Sequence, residues 1–517
     1  MQKMISLVLL AAALFSQVLD RSVTDTHIDV SKDEYKQRRQ ALMDSLPDHP
    51  IVLIGNVDRN RINDTQYQFR QESNFYYLSG HNEANAFMVL SKKPFEVDGK
   101  MVNEVIFVPE NNKNAVTWTG KRLGTEGAKE KLGFEAAVPV SKEINGQNVQ
   151  MFQEFMKELS LTDNTFHLVT PIIYSETFGQ HGLGWRERPS YYKAYAQSLK
   201  DVLGDYIQSK KSKDDNKNIK LDDGGLVNIV DPREVVGVLR NMRAIKSDRE
   251  IELIQRAVDV SGNGHFESFK IAKDVNYEYQ VEAAIEFAFK YHGADGLGYQ
   301  SIVGCGDNAT ILHYQTNRDK YKKNMLFCLD AGAEYNNYTA DITRSFPASG
   351  KFSKEQREVY EIVLAAQKAG EKELVPGSNY QRVAEAINKV LMDGMIRLGI
   401  VKDKSEGGDA RYSNEENRKQ LREVYMHGWG HGVGLDVHDP AARDNYKEGL
   451  VFTIEPGIYI SERSDLEIDP KYMGIGVRIE DMYVITKDGN RRMSANIPRE
   501  VDEIEKIAKQ KSKLVLN

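Results

Sequence analysis

The chain has 517 residues, 40% of them apolar and 28% charged, with a formal net charge of −7. That length suits two domains of ordinary size, and the apolar content supports packed cores and excludes a disordered chain. Acidic and basic residues are intermixed and form no basic stripe, which excludes nucleic acid as a partner.

The first residues, "MQKMISLVLLAAA", read as an export signal. Lys3 and the α-amine precede an apolar run over 5–15 that is too short to span a bilayer, and Ala11–Ala13 suit cleavage. We expect residues 1–26 to be signal peptide and leader, the mature chain beginning after Ala13 or within the next several residues. It would then be periplasmic or secreted, without a membrane span; a cytoplasmic location is the alternative. Residues 31–46 read as a helix with a Ser31–Glu34 capping box. Strand-like runs at 51–55, 74–80, 86–91 and 103–108 alternate with helical patterns near 124–132, 147–159 and 190–209, giving an α/β domain over 27–240. The polar stretch 209–224 closes it.

The second domain, 241–517, opens on a Ser247–Glu250 capping box and carries helices to about 292, then strands to 346. Helices follow at 353–370, capped by Ser353 and Gln356, and at 378–398, stopped by Gly399. A polar surface stretch (402–419), strands at 451–460 and 476–487, and a helix from about 498 complete it. Helices grouped around runs of strands point to an α+β domain with a largely antiparallel sheet. Cys305 and Cys328 sit in apolar strand contexts and read as buried free thiols, with a disulfide open to an exported chain.

The apolar run "MLFCLD" ends on Asp330, and Asp341 follows eleven residues later across a polar, Asn-bearing segment. A hairpin centred between Tyr335 and Asn336 would make the two aspartates cross-strand partners, their Cβ atoms roughly 5 Å apart. Carboxylates that close repel unless a cation lies between them. Three histidines, His427, His431 and His438, fall among alternating glycines in "MHGWGHGVGLDVHDP". Glu455 and Glu480 interrupt apolar strands in "FTIEPGIYI" and "GVRIEDMYVIT". Four intruding carboxylates beside a histidine cluster favour a metal site over four separate salt bridges. No dinucleotide fingerprint and no P-loop is present.

"LDAGAEYNNYTADITRSFP", "MHGWGHGVGLDVHD", "TIEPGIYI" and "GVRIED", in this order over about 245–500, resemble the pita-bread metallopeptidases. That family includes aminopeptidase P, prolidase and, more distantly, methionine aminopeptidase. "FRQESNFYYLSG" and "TWTGKRLGTEGAKEKLG" are similar to the N-terminal domain of aminopeptidase P. The resemblance implies a C-terminal domain with a curved, largely antiparallel sheet and two divalent metal ions. Asp341 and Glu480 would bridge them, Asp330 completing one shell and His431 with Glu455 the other. Four carboxylates and one imidazole form a hard, oxygen-rich site that favours Mn²⁺, with Co²⁺ or Zn²⁺ as substitutes. His427 and His438 would stabilise the scissile carbonyl or tetrahedral intermediate, His313 contact substrate, Arg478 orient a carboxylate and Glu455 also shuttle a proton.

The activity implied is metal-dependent hydrolysis of Xaa-Pro bonds, releasing the N-terminal residue from peptides with proline second. Prolidase, which splits only the dipeptide, and a non-catalytic binding module are the alternatives. Trp118 matches a position that approaches a neighbouring subunit in aminopeptidases P, which implies a homodimer or homotetramer.

Overall fold

The computed structural model describes residues 30–163, 165–169, 207–208, 218–221, 226–230, 232–512 and 514. The expected export signal and much of the polar stretch 209–224 lie outside these residues. The helical pattern at 190–209 does too, except that Ile207–Gln208 form a strand. The chain divides into two compact units between Val235 and Val236.

In the first unit an eight-stranded mixed sheet runs in the spatial order Ile207–Gln208, Asn218–Leu221, Leu226–Ile229, Thr165–Val169, Ile51–Ile54, Phe87–Val97, Lys100–Val108 and Ala136–Pro139. Ile51–Ile54 pairs parallel with Thr165–Val169 and antiparallel with Phe87–Val97. Phe152, from the helix Met151–Thr162, stacks on Phe87 at 4.2 Å between ring centroids and meets Phe107 edge-on. Helix Lys32–Asp44 starts at Ser31, whose hydroxyl accepts from the Glu34 amide at 3.2 Å.

Two expectations need correction here. Residues 74–80 are not a strand but most of the helix Ser73–Ser79, begun by the Glu72 side chain accepting from the Phe75 amide and ended by Gly80 at φ 69°. A short run buried on every side carries no period that separates helix from strand. The helix expected from 147 begins only at Met151, because Gln147–Gln150 pairs with Ser141–Ile144 across an Asn145-Gly146 turn, both residues at positive φ.

In the second unit every strand pairing is antiparallel. Helices Asp248–Ile271 and Lys354–Glu373 begin with complete capping boxes, Ser247 with Glu250 and Ser353 with Gln356. Helix Tyr380–Arg397 ends before Gly399, which takes the left-handed conformation at φ 73°. The polar stretch 402–419 contains the short helix Ala410–Ser413 and the start of Glu415–Val424. Strands Leu326–Asp330 and Thr343–Pro347 set Phe327 opposite Phe346, and Phe269 meets Phe346 edge-on at 5.1 Å. Cys305 and Cys328 are buried and free.

Candidate metal centre

Alternation along two strands separates core from chemistry. Phe327, Leu329 and Phe346 point to one face; Cys328, Asp330, Thr343 and Ser345 point to the other. The hairpin that follows is not centred where the spacing suggested. Tyr335 pairs with Tyr338, so the turn is Asn336-Asn337, both at positive φ as a two-residue hairpin turn requires. Asp330 therefore faces Thr343, not Asp341. The aspartates are diagonal neighbours instead, and continuation of the register sets Gly332 opposite Asp341. A Cβ at Gly332 would lie 1.8 Å from the Ala340 carbonyl oxygen, so only glycine lets the strands cross here.

The glutamates come from a second ladder. Ile454 pairs with Asp481 and Gly457 with Arg478, and extending either register sets Glu455 opposite Glu480. Regular pairing is interrupted there, where Pro456 has no amide hydrogen to give. His431 is fixed by three backbone bonds that run residues 429–433 antiparallel to 451–455, from Glu455 to Trp429, Thr453 to His431 and Val433 to Val451. A side chain at Gly432 would meet the Asp439 carbonyl oxygen at 2.6 Å.

Ligand atoms of three groups lie within 4.8 Å of one another: Asp330 with Asp341 and Glu480; His431 with Glu455 and Glu480; Asp341 with His431 and His438. Thus all five expected ligands converge, and His438 joins them as a sixth candidate. Its ring centroid is 3.9 Å from that of His431. Nδ1 of His431 is 3.1 Å from the Gly432 carbonyl, which can only accept, so the proton sits on Nδ1. Nε2 then faces Asp341 at 3.3 Å and Glu455 at 3.4 Å. This carbonyl-oriented imidazole is the usual arrangement of a metal-ligating histidine.

Charge at the site is unbalanced. Glu480 is 1% exposed and, among the described residues, in no ion pair; its one side-chain partner is the Thr343 hydroxyl at 2.7 Å. Burial, then the charges of Asp341, Glu455 and Asp330, push its carboxyl well above the usual range. Glu455 is raised to about 7, by burial first and then by Asp341 and Asp330, against the pull of His431 and Arg478. Burial also raises Asp330, with Asp341 adding and Arg478 opposing, whereas His431 outweighs burial at Asp341 and lowers it. Such a cluster fits divalent cations, which would supply the positive charge it lacks.

Arg478 holds the Asp330 carboxylate at 2.7 Å and also donates to Thr343 Oγ1 and to Tyr459 Oη at 3.0 Å. Tyr459 Oη is 2.7 Å from Nε2 of His427, whose Nδ1 lies the same distance from the Gly428 carbonyl. Tyr299 donates to Asp330. A cavity of about 460 Å³ opens over these groups, and His313, His427, His438 and Arg478 all line it, so every expected site residue reaches one place.

Several contributors went unread in the sequence. Thr343 and Tyr459 lie inside the quoted motifs, where strand alternation could have flagged them; Tyr299, in "GLGYQ", gave no signal. Arg243, in helix Pro232–Ala244, and Lys246, two residues beyond that helix, bind Asp439 at 2.5 and 2.9 Å and so anchor the loop bearing His438.

Largely buried carboxylates and partly exposed imidazoles converging on one cavity of an antiparallel fold define a hydrolytic metal centre. Residues 252–487 match the model of metallopeptidase family M24, and residues 35–155 that of the aminopeptidase P N-terminal domain. The Xaa-Pro aminopeptidase of Haemophilus influenzae is 33% identical, covering 92% of this chain and 97% of that protein. The Escherichia coli Xaa-Pro aminopeptidase is 34% identical, covering 92% and 98%. Aminopeptidase P from E. coli, solved with the inhibitor Pro-Leu, superimposes with a TM-score of 0.72 at 30% identity, over 93% of this chain and 98% of that one. The chain belongs to metallopeptidase family M24. Its fold is the α+β pita-bread fold with an additional N-terminal domain.

Proposed function

We propose that the protein is an Xaa-Pro aminopeptidase, removing the N-terminal residue from peptides with proline in second position. The convergence of Asp330, Asp341, His431, Glu455 and Glu480, with no cation paired to the buried Glu480 among the described residues, carries this reading. These residues would hold two divalent ions, with Mn²⁺ preferred because carboxylate oxygens dominate the donor set. When bound, such ions supply Lewis acidity and an activated water at neutral pH.

The chain's own groups do the rest. The carboxylate-rich end of the cavity, around Asp330 and Asp341, attracts the free α-amine of the substrate. His438 hydrogen-bonds the scissile carbonyl oxygen as it gains charge, while His427, its two ring nitrogens engaged by the Gly428 carbonyl and the Tyr459 hydroxyl, lines the wall beside it. Glu455, 3.7 Å from His427 Nδ1, carries a proton from the attacking water to the proline nitrogen, which leaves as a secondary amine. Proline's tertiary amide has no hydrogen to donate, so the site need hold only a ring there, and His313 on the cavity wall packs against substrate. The N-terminal domain of aminopeptidase P type supports release of a single residue over dipeptide cleavage alone.

Product analysis tests this. Metal-loaded protein should release Xaa from Xaa-Pro-Yaa at least as fast as it splits Xaa-Pro, and an acetylated amine should block cleavage. Rapid cleavage of Xaa-Pro with the tripeptide untouched would make the protein a prolidase. Metal-loaded protein that cleaves neither would be a binding module.

A further inference from the structure

His427 lines the metal-site cavity and also a second cavity of about 520 Å³, within the ~300–1,000 Å³ range of small-ligand pockets. This second space lies between helix Tyr380–Arg397 and the segment from Asp409 to Tyr425, so the polar stretch 402–419 supplies part of its wall. Three cationic side chains line it, Lys389, Arg418 and Arg422, against the two carboxylates of Glu385 and Asp409. Arg418 Nε is engaged by the Tyr412 carbonyl at 2.7 Å. Lys389 stands over the Tyr412 ring at 5.7 Å. Arg422 is exposed and makes no hydrogen bond or ion pair among the described residues.

A peptide read from its amine end runs in one direction through such a site. Its amine belongs with the carboxylates at Asp330 and Asp341, which leaves the His427 side for residues beyond the scissile bond. Every linear peptide ends there in a carboxylate, and the cations with hydrogen-bonding capacity to spare face the cavity on that side. Guanidinium and ammonium groups are the side chains suited to such an anion.

We propose that the cavity behind His427 is a subsite for substrate residues downstream of proline, in which Arg422 and Lys389 bind the C-terminal carboxylate of short peptides. This rests on the aminopeptidase reading above. It makes the enzyme a length-sensitive peptidase, favouring free-acid peptides whose end reaches the second cavity.

The test uses the metal-loaded full chain and Xaa-Pro peptides of three to six residues, each as free acid and as C-terminal amide. At the length that spans both cavities the acid should show a several-fold lower KM than the amide at equal kcat. The double variant Lys389→Ala/Arg422→Ala should abolish that preference, raising KM for the acid by the same several-fold factor, to the value of the amide, while leaving the amides unchanged. Equal KM for acid and amide at every length, or a preference that survives in the double variant, overturns the subsite and leaves the aminopeptidase intact. Cleavage of none of the peptides by the unaltered protein removes the aminopeptidase reading, and the subsite with it.

Discussion

Asp341 has ligand atoms on two sides, Asp330 with Glu480 on one and His431 with His438 on the other. Removing it would therefore take a candidate ligand from both groups at once. Residues that merely orient ligands cost about 10–100-fold in metal affinity or activity when lost, so Asp341→Ala should lose at least about a hundredfold in rate. Mass spectrometry should also find less metal per chain; near-normal turnover at saturating Mn²⁺ would refute the assignment. His265, by contrast, is a buried histidine with a structural task. Its Nε2 donates to the Ala331 carbonyl at 3.1 Å, directly beneath the aspartate hairpin. Burial first, then the charge of Arg344, lowers its pKa to about 3, with Asp481 opposing. Between that value and the unfolded value of 6.5, the unfolded chain binds the proton and the folded chain does not. Its contribution to stability is thus complete above pH 6.5 and is lost progressively as pH falls toward 3. Urea melts at pH 7.5 and 5 should show the loss in the native protein and a smaller one in His265→Gln. Equal losses would exclude His265 as its source.

At the scale of elements, one carboxylate organises the loop that carries His313. Glu278, in the first turn of helix Glu278–Tyr291, is fully buried. It accepts from the Cys305 amide, Asn308 Nδ2, Tyr314 Oη and the Asp319 amide, all at 2.9–3.0 Å. Those partners bracket residues 306–318, so Glu278 clamps both ends of the segment and its middle. Glu278→Ala would leave four donors unmatched and should cost about 3 kcal/mol or more. Glu278→Gln keeps the shape but exchanges an accepting oxygen for an NH₂ group; it should cost about 1–3 kcal/mol and raise KM with metal content unchanged. A lower melting temperature with an unaltered KM would reduce Glu278 to a purely structural part. The same scale shows where local reading fails. Capping boxes at Ser247 and Ser353 were legible because the cap and its partner are three residues apart. The strand expected at 74–80 became a helix because nothing in seven apolar and polar residues states what packs around them. The hairpin was foreseen but displaced, since a two-residue turn at Asn336-Asn337 shifts the pairing from Asp341 to Thr343.

For the whole molecule, two expectations concern features beyond one folded chain. Lys3 and the apolar run at 5–15 lead us to expect export, so protein from its native host should begin after Ala13 or within several residues. An intact Met1 on N-terminal sequencing would count against it. Trp118 is 82% exposed, an uncommon position for a large indole and one enriched at subunit contacts. We expect sedimentation at micromolar concentration to give a dimer or tetramer, weakened by Trp118→Ala; a monomer would remove the idea. The sequence by itself determined the class of fold and the identity of the cluster, because carboxylates in apolar strands and glycines beside histidines are anomalies visible in one dimension. Burying a charge is costly wherever it lies, so its presence in "MLFCLD" or "FTIEP" already implied a compensating partner. Only the tertiary structure decided how those groups meet. The diagonal approach of Asp330 and Asp341, the opposition of Glu455 and Glu480 across a ladder interrupted at Pro456, and the second cavity behind His427 depend on register and on contacts between residues up to about 150 positions apart. Local spacing carries the period of a strand, but the partner it will face is set by the packing of the whole domain.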